Sequence, residues 1–151
     1  MLERFKVPEK DRVYVRQEKM RDVTEAMFRY NGVSVKDAQA SADVLMKNDL
    51  RGNESHGVSN GMRRYVREYV TNTINPTPEY KVVRESKTTM TIDADGALGT
   101  HIGPWAMQQA IDRAKDFGMA AVAVINSGHL AGCGYYAMMA ADQGMIGHCM
   151  T

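Results

Sequence analysis

Apolar positions recur at helical spacing through the first half of the chain and as short strand-length runs through the second. Met20, Val23, Met27 and Tyr30 repeat every three or four residues, and Asn31-Gly32 supplies a left-handed stop, which predicts a helix from about Val15 to Tyr30. Ser34 with Asp37 three residues later resembles a capping box. Ala38, Ala42, Leu45 and Met46 then line one face of a second helix, up to Arg51-Gly52. Met62, Tyr65, Val66, Tyr69 and Val70 repeat the pattern, so residues 1–74 read as an N-terminal helical unit.

The pattern changes at Ile74-Asn75-Pro76-Thr77-Pro78, where two prolines remove backbone donors and force extended geometry on their neighbours. Tyr80 to Glu85 and Thr88 to Asp93, rich in Val and Thr, predict two paired strands, with Asp95-Gly96 turning the chain afterwards. Pro104 suits the first position of a helix whose stripe is Met107, Ala110, Ile111, Ala114 and Phe117, ending at Gly118. Met119 to Asn126 is a continuous apolar run of strand length, Tyr135 to Gln143 reads as a helix, and Met145 to Thr151 as a further strand. Residues 75–151 therefore read as the start of an α/β domain. The predicted class is α/β (α+β): a helical unit followed by a mixed sheet layer with covering helices, incomplete at the C-terminus.

Composition narrows the function. Nineteen basic and eighteen acidic residues leave a net charge of +1, which argues against nucleic acid and anionic membranes as partners. The one dense basic cluster, Arg63, Arg64 and Arg67, reads first as a solvated helix face. No secretory h-region or run of about 20 apolar residues is visible, so the expected compartment is cytoplasmic. Cys133 and Cys149 lack zinc-ligand spacing, and no metal is expected.

Two segments can carry chemistry. In Arg51-Gly52-Asn53-Glu54-Ser55-His56-Gly57-Val58, His56 can exchange a proton near neutral pH, and Ser55 or Glu54 can orient its ring; a surface or capping histidine is the plain alternative. Asn126-Ser127-Gly128-His129 lies at the carboxyl end of an apolar strand, where ligands of open α/β sheets bind, although Gly128 and His129 could also simply form a turn. Gly132 to Ala137 fits the loose dinucleotide fingerprint G-x-G-x-x-A, but it starts too far beyond its strand, so the expectation is close packing and a non-Rossmann fold. His101 is expected in a polar loop, His148 in a strand, Cys133 as a packing residue, and Asp93 and Asp95 as turn caps.

Taken in order, Asp49-Leu50-Arg51-Gly52, Glu54-Ser55-His56-Gly57-Val58, Ile74-Asn75-Pro76, Gly103-Pro104, Asn126-Ser127-Gly128-His129-Leu130 and Gly134-Tyr135-Tyr136 resemble the N-terminal part of the malate/L-lactate dehydrogenase-like (type 2) family. The resemblance implies an oxidoreductase using NAD or NADP, usually a homodimer, that interconverts 2-hydroxyacids such as malate or lactate with 2-oxoacids. It further implies His56 as proton donor or acceptor to the substrate oxygen, with His129 sharing that role or holding the substrate. Many relatives carry an arginine four residues after the first histidine. Here that position is Asn60, so Ser55, Asn60 and Arg63 (or Arg64) are the expected substrate contacts, while cofactor-binding residues are unassigned. Family chains are more than twice as long, which implies a fragment of a longer enzyme or one half of a split enzyme, partnered as a homodimer or by a complementing C-terminal chain. The alternative is a noncatalytic fragment or interaction module derived from the family.

Overall fold

A computed structural model describes residues 7–151. Helix α1 (Gln17–Tyr30) ends where Asn31 donates its side-chain amide to the Met27 carbonyl and Gly32 takes a positive φ. The buried face of α1 is not the expected one. Thr24 and Phe28 face the interior with Met20 packed beside them, whereas Val23 and Tyr30 are exposed. Both stripes have helical period, and the Thr24 hydroxyl avoids a burial penalty by donating to the Met20 carbonyl at 2.7 Å.

Helix α2 (Val35–Leu50) opens on Ser34, whose Oγ accepts from the Asp37 amide at 3.1 Å and donates to the Asp37 carboxylate at 2.7 Å. Ala38, Ala42, Leu45 and Met46 are buried as expected, joined by Ser41, Val44 and Asn48. Helix α3 (Val58–Val70) buries Met62, Tyr65 and Tyr69 and leaves Val70 exposed.

Strand β1 (Lys81–Glu85) pairs antiparallel with β2 (Thr89–Ala97), and β2 pairs parallel with β3 (Ala121–Ser127), giving the order β1-β2-β3. Asp95-Gly96 is not a turn that ends the strand. Both residues take positive φ inside β2, shifting its register with β3 between Asp93 and Ala97. Asn75 locks this kink by donating to the Asp95 carbonyl and carboxylate, so the proline linker is fastened to the sheet.

Helix α4 (Gly99–Phe117) connects β2 to β3 and covers one face of the sheet, with Ile102 and Ala106 packed on Met90, Ile92, Ala94 and Ala97. It begins five residues before Pro104, which lies inside it. This early start corrects the expectation for His101. The imidazole is 3% exposed, stacked on Tyr69 and hydrogen-bonded to its hydroxyl at 3.0 Å. Glycines on both sides of His101 suggest a loop, yet Gly99 serves close packing: a Cβ there would lie 2.6 Å from the Gly128 carbonyl oxygen.

Helix α5 (Gly134–Ala141) follows, and residues 145–151 form no strand. That apolar run lies against α5 instead of a strand edge, since a Cβ at Gly147 would meet the Ala137 carbonyl oxygen at 2.1 Å. His148 is accordingly not a strand residue. The main core joins Phe28, Leu45, Tyr65, Ile74, Leu98 and Tyr136, so helices from both halves of the chain share it.

Burial drives the His101 pKa down from the ordinary value of 6.5 to about 4, so the fold holds this ring neutral. The unfolded chain then binds the extra proton between these values, and stability should fall as pH drops from about 6.5 to about 4, by up to about 1.4 kcal/mol per pH unit. Urea unfolding at stepped pH should show a shallower acid loss in His101→Gln than in the parent. Identical slopes would exclude His101 as the titrating group.

Candidate active site

The segment carrying His56 is a single 3₁₀ turn (Glu54–His56) between α2 and α3. Its exit is fixed by Asp49 at the end of α2, whose carboxylate accepts from the Val58 amide at 2.8 Å and so caps α3 from outside. Gly57 makes room for that carboxylate, because a Cβ there would fall 1.6 Å from Asp49 Oδ1. Burial raises the Asp49 pKa while the Val58 amide opposes the shift.

The segment carrying His129 leaves the carboxyl end of β3 and runs over the first turn of α4. The Gly128 amide donates to the Ala97 carbonyl at 2.7 Å, and the Tyr136 hydroxyl donates to the Leu130 carbonyl at 2.7 Å. The turn also uses positive φ at Asn126 and Ala131. Asn126 donates to the Asp93 carboxylate, which also accepts from the Asp95 amide; these bonds hold the Asp93 pKa below the usual carboxylate range.

These two segments bring the histidines together. The rings of His56 and His129 stack with centroids 5.7 Å apart and planes 23° apart, both half-buried. Ser55 Oγ lies 2.9 Å from His56 Nδ1, and the Tyr65 hydroxyl lies 2.8 Å from His129 Nδ1. Tyr65 is fully buried, and its phenol is pushed well above its ordinary pKa by that burial, so it keeps its proton.

Of the remaining candidates, Asn60 is exposed in the first turn of α3 and donates to the Glu54 carbonyl at 2.9 Å. Arg63 is exposed and makes no polar contact with either histidine among the described residues. Arg64 is the cation whose charge reaches His129. Its Nε binds Glu68 at 2.7 Å, and its two terminal nitrogens make no hydrogen bond among the described residues. Cys133 touches Cys149, both are free thiols, and burial together with Cys133 holds the Cys149 thiol protonated. Among the described residues no three histidine, cysteine or acidic side chains converge as metal ligands.

His56, Ser55 and His129 stand out in the sequence as residue types with chemistry, whereas Tyr65, Asn48 and Asn53 do not. Tyr65 was legible only as one apolar position of α3, although a buried tyrosine hydroxyl nearly always has a partner.

The chain matches the malate/L-lactate dehydrogenase family model over residues 15–151 and belongs to that family. It is 45% identical over 120 residues to a malate dehydrogenase of Pyrococcus horikoshii, covering 80% of this chain and 33% of the relative. It is 41% identical over 120 residues to an L-sulfolactate dehydrogenase of Methanocaldococcus jannaschii, covering 80% and 35%. The solved malate dehydrogenase structure from Pyrococcus horikoshii superposes with a TM-score of 0.84 at 38% identity, over 87% of this chain and 38% of that one. The chain thus spans about a third of the length of the curated relatives it matches.

Burial, then the charges of Arg64 and His56, lower the His129 pKa against an opposing pull from Glu68. A pH titration followed by NMR should place the His129 midpoint below about 6.5, and Arg64→Gln should move it upward. A midpoint at or above that value would show that neither burial nor Arg64 governs the ring.

Proposed function

We propose that this chain carries the proton-transfer residues of an NAD(P)-dependent 2-hydroxyacid dehydrogenase acting on a small substrate such as malate or lactate. The supporting observation is the pairing of His56 and His129, delivered by distant segments, stacked, half-buried and each held at Nδ1 by a hydroxyl. Oxidation of a 2-hydroxyacid removes a hydride from C2 and a proton from the hydroxyl oxygen. An imidazole takes that proton near neutral pH, and returns it to the oxygen when the 2-oxoacid is reduced. His56 exchanges the proton in this reading, while His129 shares the exchange or holds the substrate.

The substrate carboxylate requires a cation. Arg64, whose charge reaches His129, carries the planar fork that can bind a carboxylate through two bonds. Asn60 and Arg63 lie on the exposed start of the same helix and complete the proposed substrate-facing set with Ser55.

A nicotinamide dinucleotide, when bound, supplies the hydride acceptor or donor. The glycine motif at 132–137 does not fit its diphosphate. The open side of Gly132 is filled by the side-chain amides of Asn48 and Asn53, which a Cβ would meet at 2.3 and 2.9 Å. This motif therefore supplies no dinucleotide cradle. No helix among the described residues is long and apolar enough to cross a membrane. A cytoplasmic enzyme acting as a homodimer, or as a complex with a chain that completes the fold, is the proposed setting.

The test is turnover. The chain is mixed with NADH or NADPH and several 2-oxoacids, with and without a polypeptide carrying the rest of the dehydrogenase fold, and nicotinamide absorbance is followed. Consumption is expected once the fold is complete, and His56→Ala should lower kcat by roughly 100-fold or more. A loss under about tenfold would move the proton-transfer role to His129. Absence of turnover in every combination would favour a noncatalytic interaction module.

A further inference from the structure

The two histidines are held at Nδ1 by partners of opposite hydrogen-bonding sense, and the sense can be traced to backbone groups. Asn48 is 5% exposed and its side-chain amide reaches the Val44 carbonyl at 2.9 Å. A carbonyl only accepts, so Asn48 turns its Nδ2 to Val44 and its Oδ1 away. Oδ1 only accepts in turn, and the neighbour 3.1 Å from it is Asn53 Nδ2. That leaves Asn53 Oδ1 facing Ser55 Oγ at 3.1 Å, which must donate its single proton. With that proton committed, Ser55 Oγ offers only lone pairs to His56 Nδ1 at 2.9 Å. The direction of every bond follows from one carbonyl, whichever way the amides are drawn.

His129 meets the reverse situation. The Ala131 backbone amide donates to its Nδ1 at 3.4 Å, and a backbone amide has no other sense. The Tyr65 hydroxyl is fully buried and, among the described residues, pairs with Nδ1 alone at 2.8 Å, so with Nδ1 already accepting, its proton also points there.

We infer that Asn48, Asn53 and Ser55 form a directional relay that fixes His56 as the Nδ1–H tautomer with a free Nε2 lone pair, while Tyr65 and Ala131 fix His129 as the Nε2–H tautomer. Resting on the dehydrogenase reading above, this assigns unlike roles to the pair. His56 Nε2 is the base that takes the hydroxyl proton. His129 Nε2–H is the donor that holds the substrate oxygen and returns no proton to it. Asn48 and Asn53 are positioning residues, acting on the substrate only through the state of His56.

Gly132 supplies an independent handle. Its missing Cβ leaves room for the Asn48–Asn53 contact, since a methyl group there would lie 2.3 Å from Asn48 Oδ1. Its φ is not in the left-handed region, so an alanine is strained there by the contact alone.

The experiment is long-range proton–nitrogen correlation NMR on the chain with labelled histidine, at a pH about two units above the ordinary histidine value. His56 should show a protonated Nδ1 and an unprotonated Nε2, and His129 the reverse. A hydrogen bond of ordinary net strength corresponds to a bias of roughly fivefold or more. Asn53→Ala and Gly132→Ala should each remove that bias at His56 while His129 keeps its form and the buried His101 signal stays in place. The last two signals report that the variants are folded, and the parent spectrum alone can refute the proposal. A protonated Nε2 on His56 in the parent, or folded variants with an unchanged His56, would overturn the relay. The measurement needs neither substrate nor cofactor: correct tautomers without turnover in the completed fold would strike the dehydrogenase reading alone, and turnover with a protonated His56 Nε2 would strike the relay alone.

Discussion

The buried side-chain amide of Asn48 is the constraint on which the site depends. It lies near the end of α2, where the helix must stop for the chain to turn into the His56 segment. An amide removed from water must have its donor and acceptor satisfied, at a cost of roughly 1–3 kcal/mol if one is left unpaired. Asn48 meets this by binding back to its own helix through Val44 and forward to the next segment through Asn53. The loop that carries His129 can approach these amides because position 132 is glycine. Helix end, first histidine and second histidine thus converge on one polar group whose hydrogen bonds leave little freedom.

The sheet contributes by fixing where the second loop starts. Parallel pairing of β2 and β3 requires a crossover, and α4 supplies it while burying Ile102 and Ala106 on the sheet. The loop after β3 then lies across the start of the same helix. Gly99 and the Gly128 amide bond to Ala97 set the spacing between them to within one missing Cβ. His101, on the next turn position, anchors that helix start to α3 through Tyr69. The same α3 presents Tyr65 to His129, so one helix face sets both the support and the chemistry of the second loop.

Much of this was legible in the sequence where the signal was local. The Ser34 cap, the stops at Gly32 and Gly118, and the core face of α2 depend on residues a few positions apart, and the chain folds there as the pattern predicts. Signals that needed a partner failed. Helix α1 has two periodic stripes, and packing in the shared core, with Leu45 of α2, Tyr65 of α3 and His101 of α4, selects Phe28 over Val23. Residues 145–151 are apolar enough for a strand but pack on α5, and His101 sits among small residues that read as a loop. In the site, His56, Ser55 and His129 stood out as residue types with chemistry. Asn48 and Asn53 did not, because an asparagine near a helix end is ordinarily a cap, and its value here arises only from the direction of bonds across segments.

Two stacked imidazoles with the same hydrogen-bonding sense would compete for one task, since both would present lone pairs or both would present protons. Their proximity also disfavours charging both rings, and the charge of His56 is already one cause of the lowered His129 pKa. Different partners at Nδ1 remove the competition without requiring different residues. A hydroxyl with its proton committed elsewhere leaves one ring basic at Nε2, whereas a buried phenol and a backbone amide leave the other protonated there. On the proposed dehydrogenase reading, a substrate oxygen that alternates between hydroxyl and carbonyl needs both kinds of contact at once: an acceptor for the proton that leaves and a donor for the lone pair that remains. The asymmetry of the pair would serve that alternation, and the helix ends and glycine contacts impose it before any substrate arrives.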